Sequence, residues 1–270
     1  MGEAVDMAVL EKFSLAGKAV LITGATGHLG QAMAWAIGEA GGQVLVNARS
    51  YDNCERLVSD LSQAGFHATN ASFDVRDEAA MSAFFASRED PLHCLINNAY
   101  AGGSGTIETA SPTEYLSAYE SSVVAAHNLL RNALPGLRRA VEIGGDASVI
   151  NVGSMYGLVS PDQKIYASPE SANPPFYGAA KAALLQWTRY AACELGREGI
   201  RVNSISPGPF PAPSVRAEFP DFVEHLAKKV PLGRVGEGSE IQGAAVMLAS
   251  AAATFINGTN LVVDGGWTSW

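Results

Sequence analysis

Residues 19–30 read AVLITGATGHLG, and this stretch decides the fold class. A compact apolar run that stops at glycines is typical of a buried strand in a parallel sheet. The residues after it continue as a helical pattern over 29–40, which ends at the glycine pair 41–42. The stretch therefore predicts a strand, a tight turn and a helix, in that order.

The glycine-rich turn predicts a binding site for a pyrophosphate. Glycines let the backbone turn tightly and approach a phosphate, which free N–H groups at a helix N-terminus attract. The spacing is G-x-x-G-x-x-G, which differs from the standard dinucleotide pattern G-x-G-x-x-G. We expect His28 to lie on the loop surface without a catalytic role. The turn residues expected to contact a cofactor are Gly24, Thr26, Gly27, His28, Leu29 and Gly30.

Strand-like and helix-like segments alternate along the rest of the chain. The predicted strands are 19–23, 44–46, 68–73, 94–97, 148–152, 200–205 and 260–263. The predicted helices are 29–40, 54–64, 78–87, 112–133, 176–195 and 237–249, with the long helix 112–133 ending at Pro135. Such alternation implies right-handed crossovers and a parallel sheet covered on both faces. We predict an α/β protein with a single doubly wound Rossmann-type domain over 1–270, preceded by a tail at 1–14.

Composition excludes several classes of protein. Apolar residues make up 47% of the 270 residues and charged residues 17%, as in a globular protein. A net charge of -9 with scattered Lys and Arg argues against a nucleic-acid partner. The sequence shows neither a membrane-spanning run nor a secretory signal. Its three cysteines are widely spaced, so we expect no metal site and a reducing, cytoplasmic location.

Polar residues follow the next three predicted strands, where ligands of such sheets bind. The second strand ends without the acid that often selects NAD, and Arg49 stands there instead. Arg49 can pair with a 2'-phosphate, which indicates NADP and leaves NAD possible; a solvated surface Arg is the alternative. Asp74 and Val75 are expected beside the adenine, and Asn97, Asn98 and Ala99 beside the ribose.

Tyr177 and Lys181 form a potential acid/base pair. Four residues apart on a helix, they share one face. A nearby ammonium favours a phenolate and lowers the tyrosine pKa from its ordinary value of about 10. Pairs with this spacing are also common on solvated helix surfaces, so the pair alone does not establish catalysis.

Taken together, these motifs resemble the short-chain dehydrogenase/reductase family from about residue 13 to residue 267. The matching segments are Thr23-Gly24 to Gly30, Asp74-Val75, Asn97-Asn98-Ala99, Asn151-Val-Gly-Ser154, Tyr177-x-x-x-Lys181, Arg201-Val-Asn203, Pro207-Gly208 and Asp264-Gly265-Gly266. The resemblance implies a nicotinamide cofactor, hydride transfer between an alcohol and a carbonyl, and a homotetramer or homodimer.

The resemblance also implies roles for single residues. Tyr177 resembles the family's acid/base, and Lys181 the residue that lowers its pKa and binds the nicotinamide ribose. Ser154 resembles the hydroxyl that orients the substrate oxygen. Pro207 and Gly208 are expected to pass beside the nicotinamide.

The chain departs from the family pattern at several positions. Ser122 stands where the family has an Asn that holds a relay water, and we expect Ser122 to take a catalytic role there. Tyr100 replaces a glycine after Asn98-Ala99. About ten extra residues precede Tyr177, in an insert at 157–175 that either binds a hydroxyl-rich substrate or forms an idle surface loop. The residues expected to line the substrate pocket are Tyr100, Ser154, Tyr156, Tyr166 and Phe210.

The segment 207–235 is expected to form a substrate lid, with Phe210 closing over the cofactor; packing into a small helical subdomain is the alternative. Trp267 and Trp270 are expected at a subunit contact, unless they form a tail without a partner. We therefore expect an NAD(P)-dependent oxidoreductase of a sugar or polyol. A reductase of a 3-oxoacyl or cyclic ketone substrate and a non-catalytic nicotinamide-binding regulator are the alternatives.

Overall fold

A computed structural model of the protein describes residues 8–270. Its strands form one seven-stranded parallel sheet in the order β3-β2-β1-β4-β5-β6-β7. The strands are β1 (Ala19–Ile22), β2 (Gln43–Val46), β3 (Ala68–Asn70), β4 (Cys94–Asn97), β5 (Ala147–Val152), β6 (Ile200–Pro207) and β7 (Asn260–Val263). The strand order reverses direction between β1 and β4, where doubly wound folds open a crevice for ligands. The predicted fold class is confirmed.

Helices cover both faces of the sheet. They are α1 (His28–Glu39), α2 (Tyr51–Gln63), α3 (Glu78–Ala86), α4 (Pro112–Tyr119), α5 (Ala125–Gly144), α6 (Pro175–Leu195), α7 (Pro213–Glu218), α8 (Pro220–Lys229) and α9 (Gln242–Ala249). One buried apolar cluster lies between the sheet and α1, α2 and α9. A second lies between the opposite face and α3, α5 and α6. Within residues 8–270, no helix has the length and apolar character needed to cross a membrane.

The prediction that the long helix ends at Pro135 is wrong. Helix α5 continues through Pro135 to Gly144 and ends at Gly145, whose φ of 75° is left-handed. Buried positions continue on both sides of the proline, from Leu129 to Leu137 and Ala140. Burial of this face outweighs the loss of one backbone hydrogen bond at an exposed position.

Strand β3 is shorter than predicted because side chains take over its last backbone bonds. The Asn47 amide donates to the carbonyls of Ala71 (2.7 Å) and Phe73 (3.2 Å). The Asn70 side chain accepts from the Ser72 N–H at 2.9 Å. The chain therefore leaves the β2 ladder after Ala71, whose N–H still donates to the Val46 carbonyl at 3.0 Å, and turns toward the ligand crevice.

The predicted tail and insert have defined local structure in the described part. Residues 1–7 of the tail lie outside the described residues, and Val9–Phe13 forms a short 3-10 helix. The insert carries short 3-10 helices at Gln163–Ile165 and Pro169–Ser171. Helices α7 and α8 occupy the predicted lid, and α8 packs against the insert.

Candidate active site

The glycine turn joins β1 to α1 at the reversal of strand order. Gly24 has a φ of 62°, and a Cβ there would lie 2.9 Å from Ala99 Cα. A Cβ on Gly30 would overlap the Gly24 carbonyl. Gly27 precedes α1, and no side chain caps this helix N-terminus. The turn therefore requires glycine at positions 24 and 30, and it presents uncapped N–H groups to a ligand.

The Asn98 amide supports the glycine turn. Its Nδ2 donates to the carbonyls of Thr23 (3.0 Å) and Gly24 (3.1 Å). The Thr23 hydroxyl accepts from the backbone N–H groups of Asn98 (3.0 Å) and Ala99 (3.1 Å). These bonds join the end of β4 to the end of β1, so Asn98 fixes the conformation of the turn at the cleft.

A cleft of about 430 Å³ opens in front of the turn. All six predicted turn residues line it, as do Arg49, Asp74, Val75, Asn98, Ala99 and Tyr100. Sequence reasoning missed Arg76, which also lines the cleft and donates to Asp74 from its backbone at 2.9 Å. Burial works toward a higher pKa for Asp74, but hydrogen bonds from Arg76 and the charges of Arg76 and Arg49 hold that pKa below its ordinary value. The cleft thus carries two arginines where a 2'-phosphate is expected.

The predicted catalytic residues converge beside Tyr100, which lines the cleft. Ser154 follows β5 and is buried, and it hydrogen-bonds Tyr177 from α6. Lys181, one helical turn beyond Tyr177, is 4% exposed and donates to the Val152 carbonyl at 2.8 Å. The Lys181 ammonium lies 5.8 Å from the centre of the Tyr177 ring. A phenol, a hydroxyl and an ammonium therefore share one site, as acid/base chemistry on an alcohol requires.

Burial governs the protonation of this pair. It raises the pKa of Tyr177, against a smaller opposite effect of the Ser154 hydrogen bond. It lowers the pKa of Lys181 from 10.5 to about 8. Burial therefore sets the direction of the Tyr177 shift in this arrangement, and the lowering of the Tyr177 pKa by Lys181 stays a prediction. The ammonium bonds to a backbone carbonyl, and desolvation outweighs its effect on the phenol.

Ser122 lies in a short π-helical turn, Glu120–Val124, between α4 and α5. It is buried, and its hydroxyl has no hydrogen-bond partner among the described residues. A cavity of about 10 Å³ separates it from Lys181 and Asn97. Asn97 donates to Asn151 at 2.8 Å, while its Oδ1 is buried without a described partner. Three polar groups thus surround a space the size of one water molecule, and sequence reasoning had not assigned Asn97 to it.

The predicted pocket residues Tyr156 and Tyr166 pack together between the insert and α8. Their hydroxyls lie 2.9 Å apart, and the Tyr166 ring lies 5.5 Å from that of Phe222. Burial raises the pKa of both phenols. These tyrosines join the insert to the predicted lid.

Phe210 and Trp267 lie elsewhere than predicted. The Phe210 ring packs on Gly236, where a Cβ would lie 2.6 Å from it, and it lines a separate depression beside β7. Trp267 is buried within its own chain, 6.5 Å from the Tyr156 ring, while Trp270 is 77% exposed. Only Trp270 remains available for the predicted subunit contact.

Pro207 and Gly208 end β6 beside the last strand. Pro207 pairs with Val263, and the Gly208 N–H donates to the Val263 carbonyl at 2.9 Å. A Cβ on Gly208 would lie 2.5 Å from Asp264 Cα. Glycine is required here because two backbone segments approach each other closely.

Comparison of the sequence and the structure with known proteins identifies the family of this chain. The model of a family described as enoyl-(acyl carrier protein) reductase matches residues 24–268. The chain belongs to the short-chain dehydrogenase/reductase family. The predicted reaction class, an NAD(P)-dependent oxidoreductase, is thereby confirmed.

Named relatives of this short-chain dehydrogenase/reductase act on oxidised sugars and acyl chains. The 5-keto-D-gluconate 5-reductase of Escherichia coli K12 is 34% identical, over 94% of this chain and 96% of its own. The 3-oxoacyl-[acyl-carrier-protein] reductase of rhamnolipid biosynthesis in Pseudomonas aeruginosa is 32% identical, over 94% and 98%. A crystal structure of gluconate 5-dehydrogenase from Burkholderia cenocepacia, in complex with NADP and tartrate, superposes with a TM-score of 0.84. It is 30% identical and covers 97% of this chain and 100% of its own.

The residues of this short-chain dehydrogenase/reductase fit a dinucleotide. The glycine turn leaves the α1 N-terminus uncapped toward the cleft, as a pyrophosphate requires. Arg49 and Arg76 provide cations beside Asp74. At the opposite end, Lys181 lies within reach of the cleft-lining Tyr100.

Proposed function

We propose that the protein uses NADP to interconvert a secondary hydroxyl and a ketone on a hydroxyl-rich carboxylate such as a gluconate. The observation that carries this proposal is the convergence of Ser154, Tyr177 and Lys181 beside Tyr100, a residue that lines the glycine-turn cleft. The relatives named for 5-keto-D-gluconate and gluconate support the substrate class.

The proposed roles follow from the position of each group. The cofactor, when bound, supplies or accepts the hydride. Tyr177 donates a proton to the carbonyl oxygen in reduction and takes it back in oxidation. Ser154 holds the same oxygen through its hydroxyl. Lys181 keeps a positive charge near the phenol, so that the phenolate form becomes accessible during the reaction.

We propose a water-mediated proton path behind Tyr177. A water in the small cavity would meet Lys181, the Ser122 hydroxyl and the Asn97 amide oxygen, which supply the two to four polar partners that a buried water needs. Ser122 and Asn97 would then together replace the usual asparagine. The π-helical turn aids this because it displaces the helix backbone at Ser122.

We propose that α7, α8 and the insert close over the substrate together. Residues 207–235 contain both helices, and α8 packs on the insert through Tyr166 and Phe222. An ion pair between Lys229 and Asp162 joins the same two elements. A lid built this way excludes water from the hydride-transfer site.

The decisive experiment measures nicotinamide absorbance with 5-keto-D-gluconate and NADPH, and with D-gluconate and NADP. Tyr177→Phe is expected to lower kcat at least 10³-fold and to leave NADPH binding within about threefold, since it removes a proton and little volume. Retention of more than a tenth of the activity in Tyr177→Phe would sink the assigned chemistry.

A 3-oxoacyl thioester is the second candidate substrate. The 3-oxoacyl-[acyl-carrier-protein] reductase relative favours it, as does the apolar character of the insert–lid cluster around Ile165 and Leu226. Acetoacetyl-CoA belongs in the same assay. A kcat/KM at least a hundredfold above that for 5-keto-D-gluconate would assign the protein to acyl reduction.

Cofactor choice is expected to depend on Arg49 and Arg76. Arg49→Asp should lower the NADP over NAD preference, measured as the ratio of kcat/KM, by roughly 10–100-fold, because a charge-assisted bond of about 1.5–3 kcal/mol is lost. Arg56→Asp, a change of an Arg on the exposed part of α2, is the control. An unchanged ratio in Arg49→Asp would make Arg49 an ordinary surface charge.

We infer that the protein is a homo-oligomer in a reducing compartment such as the cytoplasm. Large apolar side chains are exposed on α4 and α6, among them Leu116 (72%) and Tyr190 (66%). Exposed large apolar side chains on neighbouring helices are typical of a subunit contact. Its cysteines Cys54, Cys94 and Cys193 are free thiols, as expected of a protein in a reducing compartment.

A further inference from the structure

Tyr100 lies against the catalytic pair although it belongs to a different element. It follows β4, whereas Tyr177 and Lys181 belong to α6. Its ring centre lies 5.0 Å from that of Tyr177, with the ring planes at 77°. The Lys181 ammonium lies 5.2 Å from the Tyr100 ring centre and 5.8 Å from the Tyr177 ring centre. Two neighbouring aromatic rings therefore lie on the same side of one buried cation.

This cation has little else to stabilise it. Its described hydrogen bond goes to the Val152 carbonyl, and within residues 8–270 no carboxylate forms an ion pair with it. The other polar residues that line the small cavity with Lys181 are Thr23 after β1, Asn97 on β4, and Ser121 and Ser122 in the π-helical turn, all uncharged. Aromatic faces attract an ammonium most strongly where water is excluded.

We propose that Tyr100 is a positioning residue that holds Lys181 charged and in place through the face of its ring. Tyr100 and Tyr177 then form an aromatic clamp on the ammonium, and Tyr100 sets the pH range over which the pair carries one positive charge. The inference rests on the proposed acid/base role of Tyr177. The Tyr100 hydroxyl, which is buried without a described partner, has no part in the clamp.

Gly102 gives an independent way to test the clamp. A Cβ at Gly102 would overlap the Cε1 and hydroxyl oxygen of Tyr100, so Gly102→Ala displaces the ring without changing Tyr100 itself. At Gly103 the nearest atom to a Cβ is the Glu114 Oε1 at 3.7 Å, which is ordinary contact. Gly103→Ala is therefore a matched control in the same loop.

The experiment follows the 13Cε resonance of Lys181 from pH 6 to pH 11 in protein labelled with 13C-lysine. Comparison with Lys181→Arg assigns the resonance. Tyr100→Leu is expected to lower the titration midpoint by about one pH unit, because the aromatic face that favours the charged form is lost. Tyr100→Phe keeps that face and is expected to stay within about 0.3 unit of the parent protein. Gly102→Ala should move the midpoint in the direction of Tyr100→Leu, and Gly103→Ala should not move it.

An unchanged midpoint in both Tyr100→Leu and Gly102→Ala would overturn the clamp. An equal fall of the Lys181 titration midpoint in Tyr100→Phe would also overturn it, because the Tyr100 hydroxyl and not the ring face would then favour the charged form of Lys181. A KM for 5-keto-D-gluconate raised tenfold in Tyr100→Phe, with the titration unmoved in Tyr100→Leu, would make Tyr100 a substrate contact instead. Because the resonance is read without turnover, the clamp can hold even if no substrate is converted, which separates its failure from that of the proposed function.

Discussion

Lys181 is a single residue whose buried charge serves the proposed function and lowers the stability of the folded chain. Burial lowers its pKa from 10.5 to about 8 while the side chain retains a backbone hydrogen bond and two aromatic neighbours. A charge held this way destabilises the folded chain at neutral pH, as is common at active sites.

Lys181→Met is therefore expected to stabilise the protein at pH 7. The free energy of unfolding should rise by about 1–3 kcal/mol, which is the desolvation cost less about 1 kcal/mol for the lost Val152 bond. The folded-state pKa lies below the unfolded value, so between pH 8 and 10.5 the unfolded parent chain binds more protons and the parent gains stability as pH rises. The advantage of Lys181→Met should accordingly shrink across that window. Thermal unfolding at several pH values measures it, and a gap that is constant with pH would contradict the shift.

The insert and α8 are two short elements that pack against each other. Neither is long enough to be stable alone, and each buries apolar side chains of the other in the cluster around Leu226 and Val230. The insert determines where the lid helix lies, because Tyr166 contacts both Tyr156 at its base and Phe222 on α8.

Phe222→Ala is expected to loosen this contact. The free energy of unfolding should fall by about 1–2 kcal/mol, because a half-buried ring and its aromatic pair are lost. The KM for the substrate should rise several-fold as the lid closes less often. Phe219→Ala, at a position that is 51% exposed, is the control and should stay within about 0.5 kcal/mol. Equal effects of the two variants would show that α8 does not depend on the insert.

The whole molecule has one continuous parallel sheet, with Ser154, Tyr177 and Lys181 near the carboxyl end of β5 and apolar side chains exposed on its outer helices. Tyr115, Leu116 and Tyr119 are exposed on α4, and Tyr190 is exposed on α6, which packs beside α4. A face of this kind fits a second copy of the same chain through a two-fold contact.

Leu116→Arg is expected to lower the molar mass measured by light scattering, since two copies of a buried charge would face each other. Ile143→Arg, a change of an isolated residue that is 73% exposed on the last turn of α5, should leave the mass unchanged. A parent protein with the mass of one 28.2 kDa chain would refute the oligomer outright.

The sequence by itself determined the sheet, the glycine turn and the Ser154, Tyr177 and Lys181 set, because hydrophobic periodicity and glycine spacing are local and each motif lies at a strand end. Tertiary structure decided the rest. Helix α5 passes through Pro135 since its buried face continues, and Asn98 supports the turn since Thr23 lies across from it. Only the packing of β4 against α6 placed Tyr100 on Lys181 and raised the Tyr177 pKa. These properties depend on burial and on contacts between segments that are distant in the sequence, so a short stretch of sequence cannot predict them.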